Sequence, residues 1–341
     1  MTPLSILSPS GAPKQGADPA WSIERVVALH RAMVRSRVLD RVVGDLQRRG
    51  LVSVFAPAQG HEAHIYGSLL ALKDTDWIFA DVRQGAAALY RGFPLESWLA
   101  QLLGTRSAAH RGHAHPTEFT AKPVNFVSVS SPVGTQIIHA SGTAQGMKAR
   151  GTDECALVWF GPAAGASGDC HVGLNFAGVY NVPAVFYFCS SGDPSADAAR
   201  LGDAPFADRG EGYGIRAVRV DGSDVFAVYA AVADAVRKAR DGQGPTLIEG
   251  LTGGPDGTVD PLARLEGYLA SRGEDPAALR RAVDVAFEAE IRARVEELLA
   301  EGPPATGSIF EDVFATPSPQ LHAQRVSLET HRRRFAGGVI D

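Results

Sequence analysis

The stretch from Glu154 to Ser191 constrains the fold more than any other part of the chain. It reads ECALVWFGPAAGASGDCHVGLNFAGVYNVPAVFYFCSS. The apolar run Cys155–Phe160, stopped by Gly161 and Pro162, has the character of a buried strand ended by a turn. A small-residue loop, Ala163–Ser167, leads into about three helical turns that carry Val172, Leu174, Phe176 and Val179 and end near Asn181. Pro183 opens a second apolar run, Ala184–Phe188. Strand, helix and strand in so short a span form a crossover whose strands lie parallel. In parallel sheets ligands bind where a strand's carboxyl end meets the next helix's free N–H groups. A ligand is therefore expected at Gly161–Ser167 and beside Ser190–Gly192.

The rest of the chain fits this unit. Further strands are expected at Trp77–Ala80, Asn125–Ser130, Arg216–Val220 and Thr246–Leu251. Helices are expected at Glu24–Arg49, His61–Leu72, Leu95–Leu103, Gly134–Arg150, Asp224–Arg240, Pro261–Ser271 and Ala277–Leu299. Small residues in the helix before Arg150 (Ala140, Gly142, Ala144, Gly146) point to close packing. Residues 193–210 read as irregular. Alternating strands and helices give a doubly wound α/β domain with helical extensions. The expected division is a loose Pro, Gly and Ser-rich tail at 1–20, an α/β domain at 21–300 and a C-terminal arm at 301–341.

Composition narrows the function classes. A net charge of -5 argues against general nucleic-acid binding, and no apolar run approaches a membrane span. Residues 1–20 lack a basic region followed by an apolar core, so no signal peptide is expected. Cys155, Cys170 and Cys189 are too few and too apolar in context for a disulfide framework, which suits a reducing cytoplasm. His110, His113 and His115 lie in a polar segment. They read as an ordered surface loop, or as a metal site whose nearest acidic partner is Glu118.

The chain resembles the alpha subunit of the thiamine-dependent decarboxylating component of 2-oxo acid dehydrogenase complexes, from about Ile23 to Phe335. The branched-chain type is the nearest. The resemblance rests on QGHEA at Gln59–Ala63, on Leu89-Tyr90-Arg91-Gly92-Phe93-Pro94-Leu95 and on VSSPVGTQ at Val129–Gln136. It also rests on GYGIRAVRVDGSDVFAV at Gly212–Val228, on Gly244–Glu249, on IFEDVF near the end and on the frame of Glu154–Ser191. It implies a three-layer α/β/α thiamine diphosphate-binding fold with a mostly parallel sheet and helical N- and C-terminal extensions. It implies thiamine diphosphate and magnesium as cofactors. The implied partners are a beta subunit, in an α2β2 heterotetramer, and a lipoyl-bearing acyltransferase core, in branched-chain amino acid catabolism.

Residue by residue, the resemblance assigns Arg83 to the diphosphate and Ser131, Val133, Gly161 and Ala164 to the cofactor. It assigns Ser130, Pro132, Thr135 and Gln136 to a potassium ion. The same turn also reads as plain capping of the Gly134–Arg150 helix, and Arg83 as an exposed turn arginine. The family's thiamine motif opens Gly-Asp-Gly or Gly-Glu-Gly and closes Asn-Asn. Here Pro162 and Ala163 follow Gly161, and Ser190-Ser191 replace the asparagines. Ser191 and Asp193 are what remains of a magnesium site. Cys189 replaces a basic residue; it reads as a buried strand-end thiol or as a nucleophile. The family's histidine-bearing loop is absent, because Thr252-Gly253-Gly254-Pro255-Asp256-Gly257 runs straight to Asp260-Pro261. A carboxylate at Asp256 would repel diphosphate and cannot replace that histidine. Three roles stay open: a working alpha subunit, a catalytically inactive relative with a structural or regulatory part, and a chain whose cleft takes another ligand.

Overall fold

The computed structural model describes residues 2–254 and 258–335. In chain order the elements are α1 (Ile23–Arg48), α2 (Glu62–Leu69), β1 (Trp77–Phe79), α3 (Ala86–Tyr90), α4 (Leu95–Leu103), β2 (Phe126–Val127) and α5 (Thr135–Arg150). Then follow β3 (Ala156–Phe160), α6 (Pro162–Gly165), α7 (Gly168–Tyr180), β4 (Ala184–Cys189), α8 (Pro194–Leu201), α9 (Arg209–Gly212) and β5 (Arg216–Asp221). The chain continues with α10 (Val225–Arg240), β6 (Thr246–Leu251), α11 (Pro261–Ser271), α12 (Pro276–Glu301) and α13 (Pro319–Arg334). The strands form one sheet in the order β2-β1-β3-β4-β6-β5, and every pairing is parallel.

Alternation of side chains along buried strands divides the core in two. Leu157, Trp159, Val185 and Tyr187 point to the face covered by α1, α2, α10 and α11. Ala156, Val158, Phe160, Phe186 and Phe188 point to the face covered by α5 and α7. Helices on both faces of a parallel sheet make the three layers. Small residues do bring α5 against α7, through buried Ala140 and Ala144. The close backbone approach falls at Gly173 of α7, where a Cβ would lie 3.2 Å from the Ile137 carbonyl oxygen, rather than at Gly142, where it would meet nothing within 4 Å.

Three expectations need correction. The small-residue loop contains the short α6, started by a proline at its first position, where no N–H is lost to the ladder. Residues 193–210 are mostly helical. Asp193 caps α8, Pro194 again occupies the first turn, and alanines carry it on. The first residues are docked rather than loose. Leu7 is buried, Leu4 bridges to Val220 in parallel, and Ile6 N and Leu7 N each donate to Asp224 Oδ2 at 2.6 Å.

That docking depends on a buried ionic cluster. Asp224 also caps α10 through Phe226 N and Ala227 N, and faces Arg264 at 3.5 Å. Arg264 is 2% exposed and donates to Asp221 Oδ2 and Ser223 Oγ at 2.8 Å, and to Ser8 O at 3.0 Å. Its two partner segments are far from it in sequence, so the cluster ties the amino-terminal segment and the turn after β5 to α11. Removing Asp224 leaves Arg264 paired with Asp221 but orphans the N–H donors of Ile6, Leu7, Phe226 and Ala227, a loss of about 3–5 kcal/mol at about 1–3 kcal/mol for each donor left buried. Asp224→Ala should lower unfolding stability in urea by that order and should deprotect the Ile6 and Leu7 amides in hydrogen exchange. Unchanged protection of both amides would contradict this account of the docking.

Candidate functional site

The loops after β1, β3 and β4 and the turn before α5 enclose a cleft of about 340 Å³. Its lining includes Arg83, Ser130, Ser131, Val133, Gln136, Gly161, Ala164 and Ser191, all expected from sequence. Pro132, Thr135 and Asp193 are not part of that lining. The turn is pinned from behind: Gly134 has φ +95°, and a Cβ there would lie 2.3 Å from Ser167 Oγ, which caps α7. Only glycine permits that conformation and that approach together. Gly161 is under no such constraint, since its Cβ would make ordinary contact with Cys189 O at 3.8 Å.

The two family magnesium positions carry no carboxylate, and the nearby carboxylates of Asp81 and Asp193 each accept backbone N–H groups through Oδ1. Pro162 has neither side-chain oxygen nor N–H. Ser191 Oγ donates to Asp193 O at 3.0 Å and accepts from Asp193 N at 3.1 Å. The Asp193 carboxylate accepts from Ser195 N, Ala196 N and Ser195 Oγ, which also holds its pKa below the ordinary carboxylate value. Asp81 lines the cleft, but its Oδ1 accepts from Val82 N at 2.7 Å. Arg83 is exposed and donates from Nη1 to Pro57 O at 3.0 Å. Gln136, expected for potassium, donates to Trp159 O at 3.4 Å, and Ser131, expected at the cofactor, donates from Oγ to Glu118. This donor set does not fit magnesium diphosphate. Asp256 lies outside the described residues.

Sequence reasoning missed three neighbours of the cleft. Asp197 Oδ2 accepts from Ser191 N at 2.9 Å, while its buried Oδ1 has no partner and the residue lines an adjoining cavity of about 250 Å³. His61 and His64 stand at the start of α2, with ring centroids 5.4 Å apart, and their ring nitrogens lie within 4.8 Å of Cys189 Sγ and of each other. An i, i+3 histidine pair at a helix start was the signal available for them. Burial, with Arg83 adding to it, lowers the His61 pKa to about 4. His64 is neutral as well, driven well down by burial. Burial pushes the Cys189 thiol up, so it is not an activated nucleophile. His110, His113 and His115 form no such group among the described residues; His113 Nε2 meets Ser308 O at 2.8 Å and His115 Nδ1 meets Thr117 Oγ1 at 3.0 Å.

The segment that leads into α2 is anchored by charge. Arg37 donates to Glu62 Oε1 at 2.5 Å and to Asp260 Oδ1 at 2.9 Å, and Gly60 N donates to Glu62 Oε2 at 2.8 Å. Asp40 lies under the same segment, and burial raises its pKa to about 7 although the Ala58 and Gln59 N–H groups favour its charged form. An ordinary unfolded aspartate titrates near 4, so between about pH 4 and 7 the folded chain keeps a proton that the unfolded chain has lost. This group's contribution therefore falls as pH rises through that window and is flat above it. Asp40→Asn mimics the protonated form. It should flatten the decline measured by urea melts from pH 5 to 8 and be more stable than the unmodified chain at pH 8. An unaltered slope would exclude Asp40 as its source.

A family profile described as the dehydrogenase E1 component matches residues 30–252. The human mitochondrial 2-oxoisovalerate dehydrogenase subunit alpha is 32% identical over 343 residues, covering 93% of this chain and 77% of the relative. The Dictyostelium discoideum protein of the same description is 30% identical over 349 residues, covering 94% and 78%. The 3-methyl-2-oxobutanoate dehydrogenase subunit alpha of Mycobacterium tuberculosis is 32% identical over 360 residues, covering 98% and 95%. The chain belongs to the dehydrogenase E1 component family.

Proposed function

We propose that this chain is the alpha-type subunit of the decarboxylating component of a branched-chain 2-oxo acid dehydrogenase complex, and that its own magnesium–diphosphate half-site is degenerate. Similarity over nearly the whole chain to alpha subunits described for 2-oxoisovalerate and 3-methyl-2-oxobutanoate supports the substrate class. One observation carries the second half: the cleft keeps its frame while Pro162 offers no carboxylate, Ser191 Oγ is engaged by Asp193, and the Asp193 carboxylate caps α8 from outside the lining. In this reading the chain supplies framework and partner surface, and no chemical step is routed through thiamine diphosphate bound here.

The surface supports a partner. Val172, Val179 and Tyr180 on α7 are 53%, 69% and 48% exposed, with Phe176 between them at helical spacing. The α13 helix carries no buried residue. We assign 21–300 to the α/β domain and 301–341 to an arm that grips a beta subunit in an α2β2 heterotetramer, which docks on a lipoyl-bearing acyltransferase core. Cys155, Cys170 and Cys189 are free and buried, which fits a reducing compartment, and we place the chain in the cytoplasm. No helix among the described residues is long and apolar enough to cross a membrane.

A second reading, a working alpha subunit with relocated ligands, is favoured by the unpartnered Asp197 Oδ1. Each lost charge-assisted contact costs about 1.5–3 kcal/mol, so losing two weakens binding by roughly a hundred- to ten-thousandfold. Millimolar magnesium and thiamine diphosphate should therefore barely shift the melting curve of the chain assembled with a beta subunit. Pro162→Asp with Ser191→Asn should partly restore the shift. Micromolar, magnesium-dependent binding that Asp197→Ala abolishes would establish the second reading instead.

The turn at Ser130–Gln136 is the proposed potassium site, since hydroxyl, amide and backbone oxygens suit a hard cation. Potassium should raise the melting temperature relative to choline, and Gln136→Ala should remove the difference. Equal melting in the two salts would leave the turn without a bound cation, as the glycine-hinged start of α5, where no side chain caps the helix.

A further inference from the structure

We propose that His61, His64 and Cys189 form a three-ligand site for a borderline-soft divalent cation, with Zn²⁺ as the type ion, in the wall of the cleft. The proposal goes beyond the subunit role and does not depend on it. The two imidazoles are one helical turn apart at the start of α2, so they share a face. Cys189 is the last residue of β4, and the sheet brings its sulfur within 4.8 Å of both rings. Ligand atoms around a tetrahedral zinc ion are roughly 3.4–3.7 Å apart, from Zn–N of about 2.1 Å and Zn–S of about 2.3 Å. Closure by about 1 Å, within side-chain rotation, therefore completes the site. His61 Nδ1 is buried without a partner, a costly arrangement that a metal would relieve.

The imidazoles suit a metal, and the buried Cys189 thiol must give up its proton to join them. His61 and His64 are held neutral by burial, so each offers a lone pair. Thr252 Oγ1 gives its own proton to Ser190 O and so receives Nε2–H of His64 at 3.0 Å. His64 Nδ1 then accepts from Tyr187 OH at 2.8 Å. The geometry makes Nδ1 the ligating atom. The Tyr187 hydroxyl turns away, and the retained bond to Thr252 holds the ring, as hydrogen bonds on the far nitrogen commonly do for metal-bound histidine. The Cys189 thiol binds as thiolate, and its proton leaves to solvent as the metal–sulfur bond forms. Two nitrogens and a sulfur select zinc-type ions over magnesium or potassium. The remaining coordination position is left for water or an anion in the cleft, whose lining includes Arg83.

The test uses the full-length chain, stripped with a chelator and titrated with Zn²⁺, with Co²⁺ as the optical probe. The expected result is one equivalent bound, a thiolate-to-cobalt charge-transfer band, and a melting temperature that zinc raises and chelator returns. Cys189→Ala should abolish the band. Cys189→Ala and His61→Ala should each weaken zinc binding by more than the ~10–100-fold typical of losing a residue that only orients a ligand. Cys170→Ala, a buried thiol outside the cluster, should change neither. His64 is fully buried and its removal endangers folding, so its part is read on the unmodified chain by X-ray absorption, which should show one sulfur and two imidazole nitrogens. No saturable zinc binding, a bound metal without sulfur, or undiminished binding by Cys189→Ala would overturn the proposal. The first of these would leave His61 and His64 as neutral packed imidazoles.

Discussion

Phe160 of β3 pairs with Phe188 of β4, and Phe188 with Glu249 of β6, so three neighbouring parallel strands end at nearly the same level. One side of the cleft and its neighbourhood follow from that register. Gly161 and Pro162 leave one strand, Ser190 and Ser191 leave the next, and Thr252 leaves the third. A slip of one residue would turn Trp159 and Tyr187 to the opposite core and carry Cys189 away from α2. The register is held by apolar side chains buried on both faces, which tolerate neither a polar substitution nor a shift.

The cleft gathers the residues that the resemblance assigns to the cofactor but presents different chemistry. A diphosphate with magnesium needs hard, charged oxygen donors. The oxygens here cap helices and close turns, as Asp193 and Asp81 do. Buried without a partner beside the cleft are His61 Nδ1 and Asp197 Oδ1, and Cys189 Sγ lies within 4.8 Å of the imidazoles. Substitution has therefore changed the side-chain chemistry that the pocket presents while leaving its walls in place.

Strands and long helices were legible because they are written in local patterns. Thr246–Leu251 and Pro261–Ser271 have the bounds that their apolar runs and capping residues imply. Most of the expected cofactor-facing residues do meet in one cleft, because a resemblance over the whole chain carries tertiary placement that periodicity lacks. The misses have a common cause. Asp193-Pro194 is a helix start that was overlooked within a polar segment. The docking of Leu7 depends on Asp224 and Arg264, more than two hundred residues away, and composition alone cannot register such a partner. Likewise no base stands beside Cys189 in sequence, and only the fold brings two imidazoles to it.

The ionic cluster around Arg264 has one more effect. β5 is the last strand of the sheet on its side, and an open edge of this kind is a template for any passing extended chain. Leu4 lies there, donating to Arg219 O at 2.9 Å and accepting from Asp221 N at 2.8 Å. The protein thus covers the carboxyl end of its own edge strand with its first residues. Loss of that cover would expose a row of unpaired backbone groups, and self-association would then begin from a chain whose core is still intact.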